Sequence, residues 1–150
     1  MSFEVFAGKF TGKNPDYVKM GSKYFLAGPL LVALSKQLGH SIVSLGLFLG
    51  EEKAGKFMPS LALLEILSVA SEEKVFVNGI GEIDFLYNKG LKSRHIVAVK
   101  GSSKEGFMKL IQNEHDENLG YGKISRELGS DKAEIANLLD RGDFIRREKD

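Results

Sequence analysis

The chain contains no cysteine, no tryptophan and only 3 prolines in 150 residues. Without thiols there is no disulfide, no thiolate nucleophile and no zinc site that depends on Cys, and a reducing, intracellular setting is expected. Neither sign of charge dominates: 21 Lys+Arg against 20 Asp+Glu leave a net +1. No whole-molecule field therefore draws the protein toward nucleic acid. Long apolar runs are also missing. The longest, Phe25 to Leu34, is interrupted by Gly28 and Pro29, too short and too broken for a membrane span. The opening MSFEVFAGKF lacks the basic start and apolar stretch of a secretory signal.

Charge is unevenly distributed. Up to Asn88 there are 8 Lys and 9 acidic residues; after it come 8 Lys, all 5 Arg and 11 acidic residues. Arginine brings a planar fork that grips phosphate in two places and stacks on bases, whereas lysine acts as a point charge.

The chain length suffices for a true core in one domain or two small lobes. Tyr17–Met20 and Lys23–Ala27 flank Gly21-Ser22 and read as a hairpin. Pro29 suits a first helical position, Leu30, Leu31, Leu34 and Leu38 recur at helical spacing, and Gly39 ends that helix. Ile42–Leu49 reads as a buried strand followed by a long loop to Phe57. Ser60 can cap a helix from Leu61 to about Ser71. Lys74–Asn78 reads as a strand and Gly81–Asn88 as a short helix closed by Gly90. Beyond Gly90, the short runs Ile96–Lys100, Phe107–Gln112 and Leu119–Ser125 describe a β-rich lobe. Ala133–Leu139 fits either a strand or a helix.

Several motifs carry possible chemistry. Gly50 to Lys56 has the spacing of a phosphate-cradling loop, but Phe57 stands where a hydroxyl must hold Mg²⁺, and Glu51 and Glu52 would repel phosphate. A connector is the better reading. Gly79-Ile80-Gly81 lacks the third glycine of a dinucleotide fingerprint, Asp84 taking its place, and reads as turn glycines. Ser71-Glu72-Glu73-Lys74 matches a serine–lysine pattern by letter without its partner motifs. His40, His95 and His115 are isolated from ligand spacings. Glu114, Asp116 and Glu117 around His115 fit a solvated hairpin tip. No catalytic group, metal site or cofactor is expected. The segment Arg141 to Lys149 mixes cations with the apolar pair Phe144-Ile145. If that pair docks, Arg146, Arg147 and Lys149 are held at the surface for phosphate; otherwise the segment is a solvated charged tail.

The ordered set Ser44-Leu45-Gly46, Gly50, Lys56-Phe57, Lys74-Val75, Glu82, Phe85-Leu86-Tyr87-Asn88, Leu91-Lys92-Ser93, Leu119-Gly120-Tyr121-Gly122 and Asp143-Phe144-Ile145-Arg146 resembles the Nip-seven (nuclear import protein seven) family of large-subunit ribosome assembly factors. The resemblance runs from about Tyr17 to Glu148. It implies an α+β protein of two small lobes: an α/β N-terminal domain over 1–88, and a PUA-type pseudo-barrel over 89–150 with Leu119-Gly120-Tyr121-Gly122 as a turn. The short N-terminus and the paired Arg146-Arg147 look like an archaeal member, which implies a cytoplasmic protein; a eukaryotic member would be nuclear or nucleolar. Such proteins bind uridine-rich or precursor ribosomal RNA through the PUA domain without catalysis. On that pattern Arg146, Arg147 and Lys149 are the first candidates for phosphate contact, and Arg141, Lys92, Arg94 and Lys123 the second. Alternative roles are an adaptor recruiting exosome subunits or other ribosome-assembly proteins, or an accessory subunit of an RNA-modifying enzyme.

Overall fold

The computed structural model describes residues 1–28, 33, 36, 37 and 46–147, apart from the side chains at 144 and 145. The chain is α+β and divides into two compact units, Met1–Leu67 and Ser68–Asp150. The division falls earlier than the Asn88–Lys89 boundary read from the sequence. Lys74–Val77 pairs with strands of the second unit, which carries that strand and the helix after it across.

In the first unit, α1 (Phe3–Ala7) precedes an antiparallel meander of β1 (Val18–Met20), β2 (Lys23–Leu26), β3 (Leu47–Lys53) and β4 (Lys56–Pro59). Gly21-Ser22 is the turn of the first hairpin, as expected. The expected helix at Leu30–Leu38 lies largely outside the described residues, of which 33, 36 and 37 are helical. A correction concerns Gly50–Lys56. Instead of a loop, these residues continue β3, turn at Ala54 and Gly55, and enter β4. Both turn residues have positive φ, 49° and 74°, the requirement of a two-residue turn whose twist matches its strands. The core is aromatic: Phe3 stacks on Tyr24 at 5.2 Å, and Phe57 meets both Phe3 and Phe6 edge-on or tilted. After β4, Ser60 Oγ accepts the Leu63 amide at 3.1 Å and starts α2 (Leu61–Ala70), whose Leu63, Leu64 and Leu67 are buried.

The second unit is a six-stranded sheet in the order β6-β10-β9-β8-β5-β7, comprising β5 (Lys74–Val77), β6 (Leu91–Lys92), β7 (Ile96–Val99), β8 (Met108–Gln112), β9 (Asn118–Arg126) and β10 (Glu134–Asp140). Among the described strands only β5 and β8 run parallel. The outermost strands of this order, β6 and β7, are joined by the three-residue 3-10 turn Ser93–His95. So short a link draws the two edges together and curls the sheet into a nearly closed pseudo-barrel. Helix α3 (Gly79–Leu86) is capped by Asn78, whose side chain accepts the Gly81 amide at 2.8 Å. It inserts Phe85 into a core of Val75, Val77, Leu91, Ile111, Ile124 and Ile135. Each such side chain contributes about 1.5–3 kcal/mol by leaving water. Of Ala133–Leu139, ambiguous by periodicity, Glu134–Leu139 lie in the strand β10 because β9 and β6 flank it.

Leu119-Gly120-Tyr121-Gly122, expected as a turn, lies inside β9 and pairs with both neighbours. Its glycines permit close approach: a Cβ on Gly120, at φ +143°, would sit 2.0 Å from the Leu139 carbonyl oxygen. Gly120→Ala should therefore destabilise the protein by about 2–4 kcal/mol. An unchanged denaturation midpoint would show that β9 and β10 are not pinched there.

Candidate nucleic-acid interface

The chain places two of the expected cations, Lys92 and Arg94, on either side of Ser93 in the turn that closes the barrel. The turn is held from several sides. Asn78 Nδ2 donates to the Arg94 carbonyl at 2.8 Å, and the Asn78 amide donates to the His95 carbonyl at 2.9 Å. Ser93 Oγ donates to the Asp131 carbonyl at 3.2 Å. Beneath it lies His95, 1% exposed, whose Nδ1 accepts the Lys92 amide at 3.0 Å. That bond requires a neutral ring with its proton on Nε2. Nε2 is 3.2 Å from Asp84 Oδ2 yet off the line of a hydrogen bond. Burial pushes the imidazole pKa down; the Arg94 charge adds to this, and Asp84 opposes it.

Arg94 is exposed and makes no ion pair among the described residues. Lys92 Nζ reaches Glu134 Oε1 at 2.9 Å, and Arg126 Nε approaches Glu134 Oε2 at 3.5 Å. Lys92, Glu134 and Arg126 stand opposite one another across β6, β10 and β9. Two cations thus share one carboxylate, and the Lys92 hydrogen bond lowers the Glu134 pKa below the usual carboxylate range. Arg126 was not among the sequence candidates, because only strand register puts it beside Lys92.

The other candidates lie elsewhere. Lys123, exposed and without an ion pair among the described residues, sits within β9 opposite Ala136. Arg141, Arg146 and Arg147 follow the far end of β10 from Glu134, a strand length of about 20 Å. Arg141 Nε donates to the Asn118 carbonyl at 2.5 Å. Arg146 and Arg147 lie on α4 (Gly142–Arg147). Arg146 grips Asp140, 1% exposed, through Nη1 at 3.0 Å and Nη2 at 3.1 Å, and its Nη1 also donates to the Leu86 carbonyl. Its fork is occupied internally, so it serves as a clamp between α4, β10 and the end of α3. Arg147 is 79% exposed and pairs with Asp143 at 2.9 Å. Lys149 and the side chains of Phe144 and Ile145 lie outside the described residues.

The dismissed motifs have structural uses. Asn113 Oδ1 accepts the amides of His115 and Glu117, which shapes the acidic hairpin tip. Among the described residues no three His, Cys, Asp or Glu side chains are grouped to hold a metal ion, and no helix is long and apolar enough to cross a membrane.

A six-stranded pseudo-barrel closed through a short turn and plugged by one helix defines the second unit as a PUA-type domain. Residues 73–149 match the UPF0113 PUA domain family, and the chain belongs to that family. Among solved structures, a conserved PUA domain protein from Thermoplasma acidophilum superposes with a TM-score of 0.56 at 19% identity, covering 96% of this chain and 89% of that one. A hypothetical protein from the hyperthermophilic archaeon Pyrococcus horikoshii OT3 gives a TM-score of 0.48 at 11% identity, over 83% and 74% of the two chains. No curated protein sequence matches the chain.

Proposed function

We propose that the protein is a non-catalytic factor that binds single-stranded, uridine-rich ribosomal or precursor RNA through its PUA domain during assembly of the large ribosomal subunit. The observation that carries the binding step is the set of exposed cations on the PUA unit that no carboxylate neutralises among the described residues, Arg94 and Lys123 together with Lys100, Lys104 and Lys132. Lys92 and Arg126 support them, since they share one acid between two positive charges. Arg147 adds a cation beyond the far end of β10. Cations distributed along the length of β10 suit an extended strand, with phosphates meeting charge and bases left free to stack or pair elsewhere. The ribosomal assignment rests on the ordered residues shared with the Nip-seven family.

Such binding is mainly electrostatic, so affinity for a single-stranded oligouridine should fall with salt at a log–log slope of about −0.7 for each phosphate neutralised. The double change Arg94→Ala with Lys123→Ala should weaken binding and flatten the slope by about 1.4, twice that single-phosphate value. A salt series that gives the same slope for the double variant and the wild type would refute the surface. Crosslinking in cells followed by sequencing of the bound RNA tests the ribosomal part: recovery of ribosomal precursors supports it, and their absence from the crosslinked RNA removes it.

A further inference from the structure

Lys92 and Arg94 are useful for gripping a phosphate chain only if their backbone is already ordered, because fixing a long cationic side chain and its loop on binding offsets most of the gain. The element that orders them is internal. His95 lies between the turn and α3, so closely that a Cβ on Gly81 would come within 2.8 Å of the His95 Cβ. Glycine at position 81 is what lets the helix and the imidazole share this space. Through Nδ1 the ring receives the Lys92 amide, and its own carbonyl receives the Asn78 amide at the start of α3.

We propose that His95 is a positioning residue for RNA binding, a neutral imidazole whose Nδ1 lone pair holds the Lys92 amide and thereby presets Lys92 and Arg94 as a phosphate-gripping pair. This rests on the reading of the PUA unit as an RNA binder. Its consequence is a specific pH response. A second proton can go only to Nδ1, where it would face the Lys92 N–H, donor against donor, and the bond that sets the turn would break. The groups facing His95 are Asp84 from α3, itself paired with Lys89, and Lys92 and Arg94 from the turn; Glu134 on β10 acts through Lys92. Asp84 alone favours the imidazolium, while burial and the two cations oppose it. The switch therefore lies below the ordinary imidazole range of about 6.5.

The expected sign is opposite to that of simple electrostatics. A protein that binds RNA by charge alone gains affinity on acidification, as histidines and carboxylates take up protons. Here wild-type affinity for an oligouridine of about ten nucleotides should fall severalfold as the pH is lowered from about 7.5 through the point at which His95 takes up its second proton, followed by NMR of the imidazole. His95→Asn puts an amide oxygen near the place of Nδ1 and cannot titrate; it should bind like the wild type at the higher pH and show no loss at the lower. His95→Leu fills the space without an acceptor and should bind about five- to tenfold more weakly at both.

Tightening of the wild type on acidification, or an unchanged acid loss in His95→Asn, overturns the proposal. The Asn variant decides the matter even if His95→Leu fails to fold, which a thermal melt will show. The double variant Lys92→Ala with Arg94→Ala separates the two readings. If it binds as tightly as the wild type, the turn is not an RNA surface and both readings fall. If it loses affinity while both His95 variants behave as the wild type, only the role of His95 is wrong.

Discussion

Glu73→Ala is expected to cost about 3–5 kcal/mol of stability, far more than its position at the edge of β5 would indicate. Lys109, on β8, has no exposed surface; its Nζ donates to Glu73 Oε2 at 2.6 Å and to the Lys100 carbonyl at 2.6 Å. The same carboxylate accepts the Ser102 amide at 3.1 Å. Glu73 thus neutralises a buried ammonium and pins the loop after β7. Removing it strands the lysine in the core, whereas Lys109→Met leaves only a partly exposed carboxylate, which water can reach, and should cost much less.

The pH dependence sharpens this expectation. Burial already holds the Lys109 pKa below its ordinary value, with Glu73 opposing, and loss of Glu73 lowers it further. In Glu73→Ala the unfolded chain then binds more protons than the folded one. Stability of the variant should therefore recover as pH rises toward the ordinary lysine range of about 10.4. Urea titrations at neutral and alkaline pH measure both effects. Equal and small losses for Glu73→Ala and Lys109→Met would contradict the buried pair.

Arg146→Ala should separate a structural cation from an RNA-binding one. It leaves the Asp140 carboxylate, 1% exposed, without its bidentate partner and frees the Leu86 carbonyl. We expect a fall in Tm of at least about 5 °C, with RNA affinity reduced only as far as the folded fraction is reduced. Arg147→Ala should do the reverse: an unchanged melt, because its pair with Asp143 is a solvated i,i+4 contact, and a weaker salt dependence of RNA binding. The two neighbours, inseparable in the sequence as an Arg-Arg pair, are divided by which face of a six-residue helix each occupies. A melt unaltered by Arg146→Ala, together with a loss of RNA affinity, would reverse the assignment.

Much of the local structure was legible because it depends on local chemistry. The hairpin at Gly21-Ser22, the helix behind Ser60, the strand at Lys74 and the short helix before Gly90 each follow from turn residues, caps or periodicity over a few positions. Segments whose state is set by neighbours distant in the chain were read less well. Gly50–Lys56 carried the letters of a phosphate loop, yet two positive-φ residues and the pairing of β3 with β4 make it a hairpin. Leu119-Gly120-Tyr121-Gly122 looked like a turn because two glycines lie close together, but those glycines admit a neighbouring strand. The candidate surface divided in the same way: charge was visible, partnership was not. Arg94 and Lys123 are left free of carboxylates among the described residues while Arg146 is consumed, and Arg126 is recruited by strand register.

By itself the sequence determined the class of protein: a cysteine-free, near-neutral α+β chain whose ordered motifs and arginine-bearing second half belong with PUA proteins. These properties reside in composition and short-range pattern, which exist before the chain folds. Only the tertiary structure decided which cations face solvent and which are bound internally, and that a buried histidine stands beneath the basic turn. Such assignments depend on pairing between residues tens of positions apart, where a shift of one residue in register exchanges the buried and exposed faces of a strand.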